Sequence, residues 1–268
     1  MCQLLGVSFN QQVQPAQLLK TFFENSIFHP HGWGVAFYPS DSKQSVLFKE
    51  ASPAYDSDLA KFLLSYQHLQ SKTLIAHIRK ATRGSLTHDN THPFSRCCQG
   101  REFIFAHNGT FTKTDQFPHL IYQPIGQTDS ERAFCYFLTL LSMREIRCTR
   151  HACVNGYTAR DFTEIHKILH NINTEAAGSF NCLFSDGEYL FCYRDLAKAR
   201  NLYYFKCQKQ NQNTRSQKIQ INKNRHKEPV GRQGYIVATE PCTKGNWQPF
   251  AGGQLMVFQD GQLVADLH

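Results

Sequence analysis

The chain reads as an α+β domain built on a largely antiparallel sheet, and three observations predict it. Strand-like apolar runs recur along its whole length, two of them fold back at an Asp-Gly dipeptide, and helical periodicity is confined to three segments. Hairpins with a few intervening helices, rather than a regular strand–helix alternation, imply antiparallel pairing and helices laid on the outside of one layered domain. The strand candidates are "QLLGVSF", "WGVAFY", "SVLFKE", "TLIAHIR", "EFIFAHN", "SFNCLFSDGEYLFCYR", "YIVAT" and "QLMVFQDGQLVADL". Asp-Gly inside the sixth and the last favours a tight turn with positive φ. Leu59, Phe62, Leu63 and Tyr66 follow an i, i+3, i+4, i+7 pattern, as expected of a helix. A second helix is predicted over 129–147, opening near Thr128, where Thr128 and Glu131 match a capping box. The third, over 161–174, presents Phe162, Ile165, Ile168, Leu169 and Ile172.

Bulk properties narrow the function. The 268 residues suit one domain spanning 1–268, and no apolar stretch is long enough to span a membrane. The N-terminus lacks the order of a secretory signal, so the cytoplasm is the expected location. Ten irregularly spaced cysteines are expected to be free thiols, and neither they nor the histidines show the spacing of a metal site, so no metal is expected. Of the formal charge of +8, +7 lies in 206–233, a Gln- and Asn-rich stretch with eight basic residues and one acid. It lacks interleaved aromatic residues, so a solvated hairpin or mobile insertion is expected there rather than a nucleic-acid surface.

The chemistry is concentrated in short polar clusters at strand ends: "HPHGWG" (29–34), "AHIRKATRG" (76–84), "NTHPF" (90–94) and "AHNG" (106–109), with "TDSE" (128–131) opening a helix. Each alone has a plain structural explanation, Asn-Gly being turn chemistry and Asp129 complementing a helix dipole. Cys2, directly behind the initiator Met1, changes their meaning. Removal of Met1 leaves residues 2–268 and puts a thiol, which titrates near ~8.5, beside an α-amine at about 7.7–8.0. Part of that amine is neutral at physiological pH and can serve as a base for the thiol.

With Cys2 and these motifs in this order, the chain resembles the class II glutamine amidotransferases of the N-terminal-nucleophile hydrolase superfamily, in the small stand-alone bacterial form without a synthase domain. The resemblance implies a four-layer αββα sandwich of two antiparallel sheets. It implies Cys2 as nucleophile, with the Asn108 side chain and the Gly109 N–H binding the oxyanion. Arg79 would take the α-carboxylate of the glutamine moiety and Asp129 its α-ammonium, with Thr82 and His92 shaping the pocket. No cofactor is implied. The substrate is glutamine or a γ-glutamyl amide, and ammonia goes either to water or to a separate ammonia-accepting partner protein. The alternative is a non-catalytic glutamine or γ-glutamyl sensor, or a subunit of a larger complex. Trp33 is expected to pack beneath the site, His77 to face the core and His107 to anchor the Asn108–Gly109 segment. The chain departs from the family pattern at His31, where an acid commonly precedes Gly-Trp-Gly. It departs again at Lys80, where synthase-coupled relatives carry a bulky aromatic residue, and 206–233 has no counterpart.

Overall fold

In the computed structural model, which describes residues 2–40, 42–118, 120–146, 156–207 and 232–268, side-chain alternation sorts the strands into two stacked antiparallel sheets. The first contains β1 (Gln3–Val13), β2 (Trp33–Phe37), β3 (Val46–Glu50), β4 (Ser71–Ile78), β9 (Tyr203–Cys207), β10 (Gly234–Ala238) and β11 (Gln248–Pro249), ordered β11-β9-β10-β1-β4-β2-β3. The second contains β5 (Phe94–Cys98), β6 (Arg101–Phe111), β7 (Gly178–Ser185), β8 (Tyr189–Tyr193), β12 (Leu255–Gln259) and β13 (Gln262–Leu267), ordered β13-β12-β8-β7-β6-β5. Helices α1 (Ala16–Glu24) and α2 (Asp58–Ser65) cover the first sheet, and α3 (Asp129–Met143) and α4 (Ala159–Glu175) cover the second. The architecture is therefore the αββα sandwich that the resemblance implied.

Successive residues of a strand point to opposite faces, so each strand feeds two apolar layers. Leu74, Ala76 and Ile78 of β4 join the layer under α1 and α2, whereas Ile75 joins the layer between the sheets. By the same alternation Phe103 and Phe105 of β6 pack under α3 and α4, and Ile104 and Ala106 face the first sheet. Parity then fixes the polar residues of these strands. His77 and Asn108 belong to the inter-sheet faces, and His107 faces the helical layer, where it meets Ser130 of α3.

Both Asp-Gly turns form as expected: Gly187 (φ 93°) joins β7 to β8, and Asp260 (φ 46°) with Gly261 (φ 71°) joins β12 to β13. The predicted helices are found with shifted ends. The second stops at Met143 rather than 147, with Glu145 at φ 51°; the third is longer, Ala159–Glu175, because Thr158 and Asp161 form a full capping box. At Thr128 only half of the expected box forms. The Thr128 hydroxyl accepts the Glu131 N–H at 3.2 Å, but the Glu131 carboxylate turns away to Arg96 and to the N–H groups of Ile125 (3.1 Å) and Gly126 (2.7 Å). In α2, Phe62 is 51% exposed, because Ala60 and Leu63 are the residues that seal this short helix to the sheet. Helix α1 carried a helical pattern (Leu18, Leu19, Phe22, Phe23) but no capping side chain, Pro15 standing at its start. The expected hairpin or insertion at 206–233 falls largely on 208–231, outside the described residues; its flanks, Cys207 and Gly234, face each other across β9 and β10.

Between the sheets the His77 and His92 rings lie tilted against each other with centroids 4.3 Å apart, and His92 in turn lies 4.4 Å from the Phe94 ring. Burial pulls His77 down to about 3 and His92 well below its ordinary value. Among the described residues no ring nitrogen of either is hydrogen-bonded. The His107 backbone lies near enough to His77 to favour its charged form, without the geometry of a hydrogen bond. The unfolded chain binds protons on these rings below about pH 6.5 and the folded chain does not, so acid favours unfolding. Denaturant titrations should show full stability above that pH and a loss of up to about 1.4 kcal/mol per pH unit for each neutral histidine as the pH falls towards 4. A stability that stays level from pH 7 to 4 would mean the rings protonate within the fold.

Candidate active site

The start of the chain is held where β1 meets the end of β4. Gln3 pairs with Ile78, and Leu4 exchanges backbone hydrogen bonds with Thr239, donating to its hydroxyl (3.1 Å) and accepting its N–H (3.1 Å). The Thr239 hydroxyl also donates to Gln3 Oε1 at 2.8 Å. Thr239, at the end of the "YIVAT" strand, thus clamps the residues that follow Cys2; nothing in its own sequence neighbourhood marks that task. Cys2 itself lies over the Lys80 backbone, its Sγ accepting the Lys80 N–H at 3.2 Å and sitting 3.5 Å from the Lys80 carbonyl. Burial pushes the thiol up from its ordinary value, with the Asp129 charge acting in the same direction and the Lys80 N–H and the Arg79 charge opposing. The resting group is therefore a thiol that needs a base before it can attack. Met1, and with it the question of processing, lies outside the described residues.

Arg79 follows β4 and is almost wholly buried. Its backbone is locked to the turn before β2: the Arg79 N–H donates to the Gly32 carbonyl (2.7 Å), and the His31 N–H donates to the Arg79 carbonyl (3.1 Å). Its guanidinium reaches the carbonyls of Ser85 (3.1 Å), Arg83 (2.9 Å) and, more loosely, Gly84 (3.4 Å). Of the five N–H donors of a guanidinium these use only part. Burial draws the guanidinium down from its ordinary value, and the Asp129 carboxylate, together with Cys2 whenever it is ionised, draws it back. Asp129, the first residue of α3, is buried and accepts the Phe111 N–H through Oδ2 at 2.6 Å. Cys2, Arg79 and Asp129 are thus close enough to act on one another's charge, and a thiol, a cation and a carboxylate converge at one end of the sandwich.

Asn108 and Gly109 occupy the end of β6 that Phe111 ties to Asp129. Asn108 is 4% exposed, on the face of β6 turned towards the first sheet. Gly109 is glycine for a steric reason: a Cβ there would fall inside the Ser179 carbonyl of β7 and His107 Nε2. His107 anchors this segment, donating from Nε2 to the Ser179 carbonyl (3.0 Å) and accepting the Ser130 hydroxyl at Nδ1 (2.8 Å). Burial lowers His107 from its ordinary value despite the nearby Asp129 charge. That neutral ring has both nitrogens engaged, which suits an anchor and not a base.

The other expected residues separate. Thr82 is exposed, and its hydroxyl lies 3.2 Å from that of Thr110, which bridges the loop after Arg79 to the residue beyond Gly109. The His92 ring is enclosed between His77 and Phe94, so what it offers the site is a wall. Trp33 is buried under α1, its ring edge-on to Phe23 at 5.2 Å and its Nε1–H donating to Glu50 (3.3 Å). At the departure from the family pattern, His31 Nδ1 accepts the Ala81 N–H at 2.9 Å. A carboxylate at 31 could accept the same N–H, which explains how histidine can stand there. Among the described residues no group of His, Cys, Asp or Glu side chains is arranged to hold a metal ion, and no helix is long and apolar enough to cross a membrane.

The two stacked antiparallel sheets with helices on their outer faces are a fold that known proteins share. The family model for class-II glutamine amidotransferases matches residues 1–268, and the chain belongs to that family. It is 40% identical over 266 residues to an uncharacterized protein of Methanocaldococcus jannaschii, covering 98% of this chain and 71% of that protein. The crystal structure of a predicted glutamine amidotransferase from Pseudomonas aeruginosa is similar at TM-score 0.66 and 25% identity, covering 98% of this chain and all of that one. The glutamine phosphoribosylpyrophosphate amidotransferase of Bacillus subtilis shares the fold at TM-score 0.61 and 16% identity, over 99% of this chain and 49% of that one. Membership places the chain among enzymes that act on the amide of glutamine.

The His31 bond yields a direct test. His31→Ala leaves the Ala81 N–H without its acceptor and should lower kcat/KM on a γ-glutamyl substrate about 3- to 10-fold, the worth of one hydrogen bond. His31→Asp supplies the acceptor again and should stay within about threefold of the parent. Equal losses in the two variants would show that the bond to Ala81 is not what His31 contributes.

Proposed function

We propose that the chain hydrolyses the γ-amide of glutamine or of a γ-glutamyl compound through a γ-glutamyl thioester on Cys2, after removal of Met1. The observation that carries this reading is the position of the Cys2 thiol, seated on the Lys80 N–H next to Arg79 in the chain and within electrostatic reach of the Asp129 carboxylate. Glutamine is an amide with a zwitterion at its other end, and these groups match it part by part. Arg79 pairs with the α-carboxylate through the N–H groups its loop leaves free. Asp129 takes the α-ammonium through Oδ1, since Oδ2 already holds the Phe111 N–H. Thr82 and the wall behind His92 complete the pocket.

The chemistry then follows the proton. Burial keeps the Cys2 thiol protonated, so attack requires a base, and the α-amine of the processed chain is the nearest one by covalent connection. It takes the thiol proton as Sγ bonds to the amide carbon. The carbonyl oxygen becomes an oxyanion held by the Asn108 side chain and the Gly109 N–H. Collapse breaks the carbon–nitrogen bond, and the α-ammonium returns the proton to the leaving ammonia or amine. Water, deprotonated by the same amine, attacks the thioester; glutamate leaves and the thiol is restored. Lys80, in place of a bulky aromatic residue, suits a site that need not seal a channel. The released ammonia goes to water or to a separate acceptor protein.

The variants separate the roles. Cys2→Ala should abolish turnover. Asn108→Ala should lower kcat about 10²–10³-fold with a smaller change in KM, as expected for a bond made in the transition state. Arg79→Ala should chiefly raise KM, by about 10- to 100-fold. Steady-state assays on glutamine and on larger γ-glutamyl amides check these values and rank the substrates. Turnover confined to the larger amides removes the ammonia-donor version, and turnover that survives Cys2→Ala removes the mechanism.

A further inference from the structure

We infer that Asn90 is the positioning residue that sets the spacing between the two charged halves of the amino-acid clamp, Arg79 and Asp129. The inference rests on the pocket proposed above. The two halves come from different parts of the chain. Arg79 is oriented by the carbonyls of 83–85, and Asp129 follows the segment 125–128 that leads into α3. Asn90 lies between these two segments, 2% exposed, and its amide is bonded on both sides. On the Arg79 side, Nδ2 donates to the Ser85 carbonyl (3.2 Å) and lies 3.0 Å from the Ser85 and Thr87 hydroxyl oxygens. On the Asp129 side, Oδ1 accepts the Gln127 N–H at 2.7 Å, two residues before the carboxylate.

Two details make the link specific. The Ser85 carbonyl that accepts from Asn90 also accepts from Arg79 Nη1 at 3.1 Å, so the guanidinium and the amide share one anchor. And the glycines on either side are fitted to the Asn90 amide. A Cβ at Gly126 would stand 2.5 Å from Asn90 Oδ1, and one at Gly84 would stand 3.2 Å from its Cγ. A planar amide is what the place requires, because it must donate on one side and accept on the other. Within "NTHPF" it is the Asn90 amide whose bonds reach both segments, to Ser85 on one side and to Gln127 on the other.

Asn90→Asp keeps the size and the acceptor for Gln127 but turns an oxygen towards the Ser85 carbonyl, which cannot donate. Repulsion there should loosen the Arg79 anchor. The test is the Kd for L-glutamate by calorimetry, which uses the clamp without the thiol, paired with kcat and KM for glutamine and the thermal midpoint. Asn90→Asp should bind L-glutamate about 10-fold more weakly and raise KM alike, with kcat within about threefold. Thr87→Val, a milder change at an exposed residue, should weaken binding about threefold and decides the matter if Asn90→Asp does not fold. Unchanged Kd in the folded Asn90→Asp protein, or in Thr87→Val when it is the deciding variant, overturns the inference. So does a fall in kcat alone. A parent chain that binds L-glutamate without turning over glutamine or any γ-glutamyl amide removes the proposed reaction and leaves the clamp standing. A parent that binds no L-glutamate removes the clamp and Asn90's role with it.

Discussion

Everything at the site depends on where the first strand lies. β1 sits inside the seven-stranded sheet with β10 on one side and β4 on the other, and Leu4, Leu5 and Val7 are fully buried. An apolar strand paired along both edges cannot slide without moving its side chains to the wrong face. The position of Cys2 is therefore set by the register of the sheet, one residue before Gln3 pairs with Ile78. That register delivers the thiol to the Lys80 N–H and the Arg79 cation. Thr239, bonded to Gln3 and to both backbone groups of Leu4, keeps the strand from fraying at the end where precision matters.

The second constraint is how the site satisfies its buried polar groups. Most have partners supplied by backbone: Arg79 has the carbonyls of 83–85, Asp129 has Phe111 N–H, His107 has Ser179, and Glu131 has the N–H groups of 125 and 126. His77 and His92 are the exceptions: no ring nitrogen of either is hydrogen-bonded among the described residues, the rings lie tilted against each other in the inter-sheet layer, and their cost appears as acid sensitivity rather than as chemistry.

Much of the fold was legible because the buried strands carry their own pattern. β1, β2, β4, β6, β7, β8 and β12 are runs of apolar residues bounded by turns, and Asp-Gly placed two hairpins correctly. The strands that the sequence did not disclose are β5, β9 and β11. They lie at or near sheet edges, are short or only partly buried, and owe their conformation to the neighbour they pair with. Helix α1 escaped notice because the usual start signal is missing. At the site, the residue types of the motifs were visible but their physical duties were not. "TDSE" read as a capping box, yet tertiary packing takes the Glu131 carboxylate for Arg96 and the loop before α3. Gly109 was expected as an oxyanion donor, and only the fold shows that a side chain there would collide with the Ser179 carbonyl. His31 read as a departure, and only the three-dimensional neighbour, Ala81, shows what it does.

The account stands or falls on Cys2 acting from the chain terminus on a γ-glutamyl group. The most direct measurement is the intact mass of the purified protein before and after exposure to a glutamine-mimicking diazo-ketone, with peptide mapping of any adduct. Loss of the methionine mass, followed by one adduct on Cys2 that excess L-glutamate prevents, is the predicted result. A processed chain that takes no adduct, or takes it on another cysteine, would contradict it.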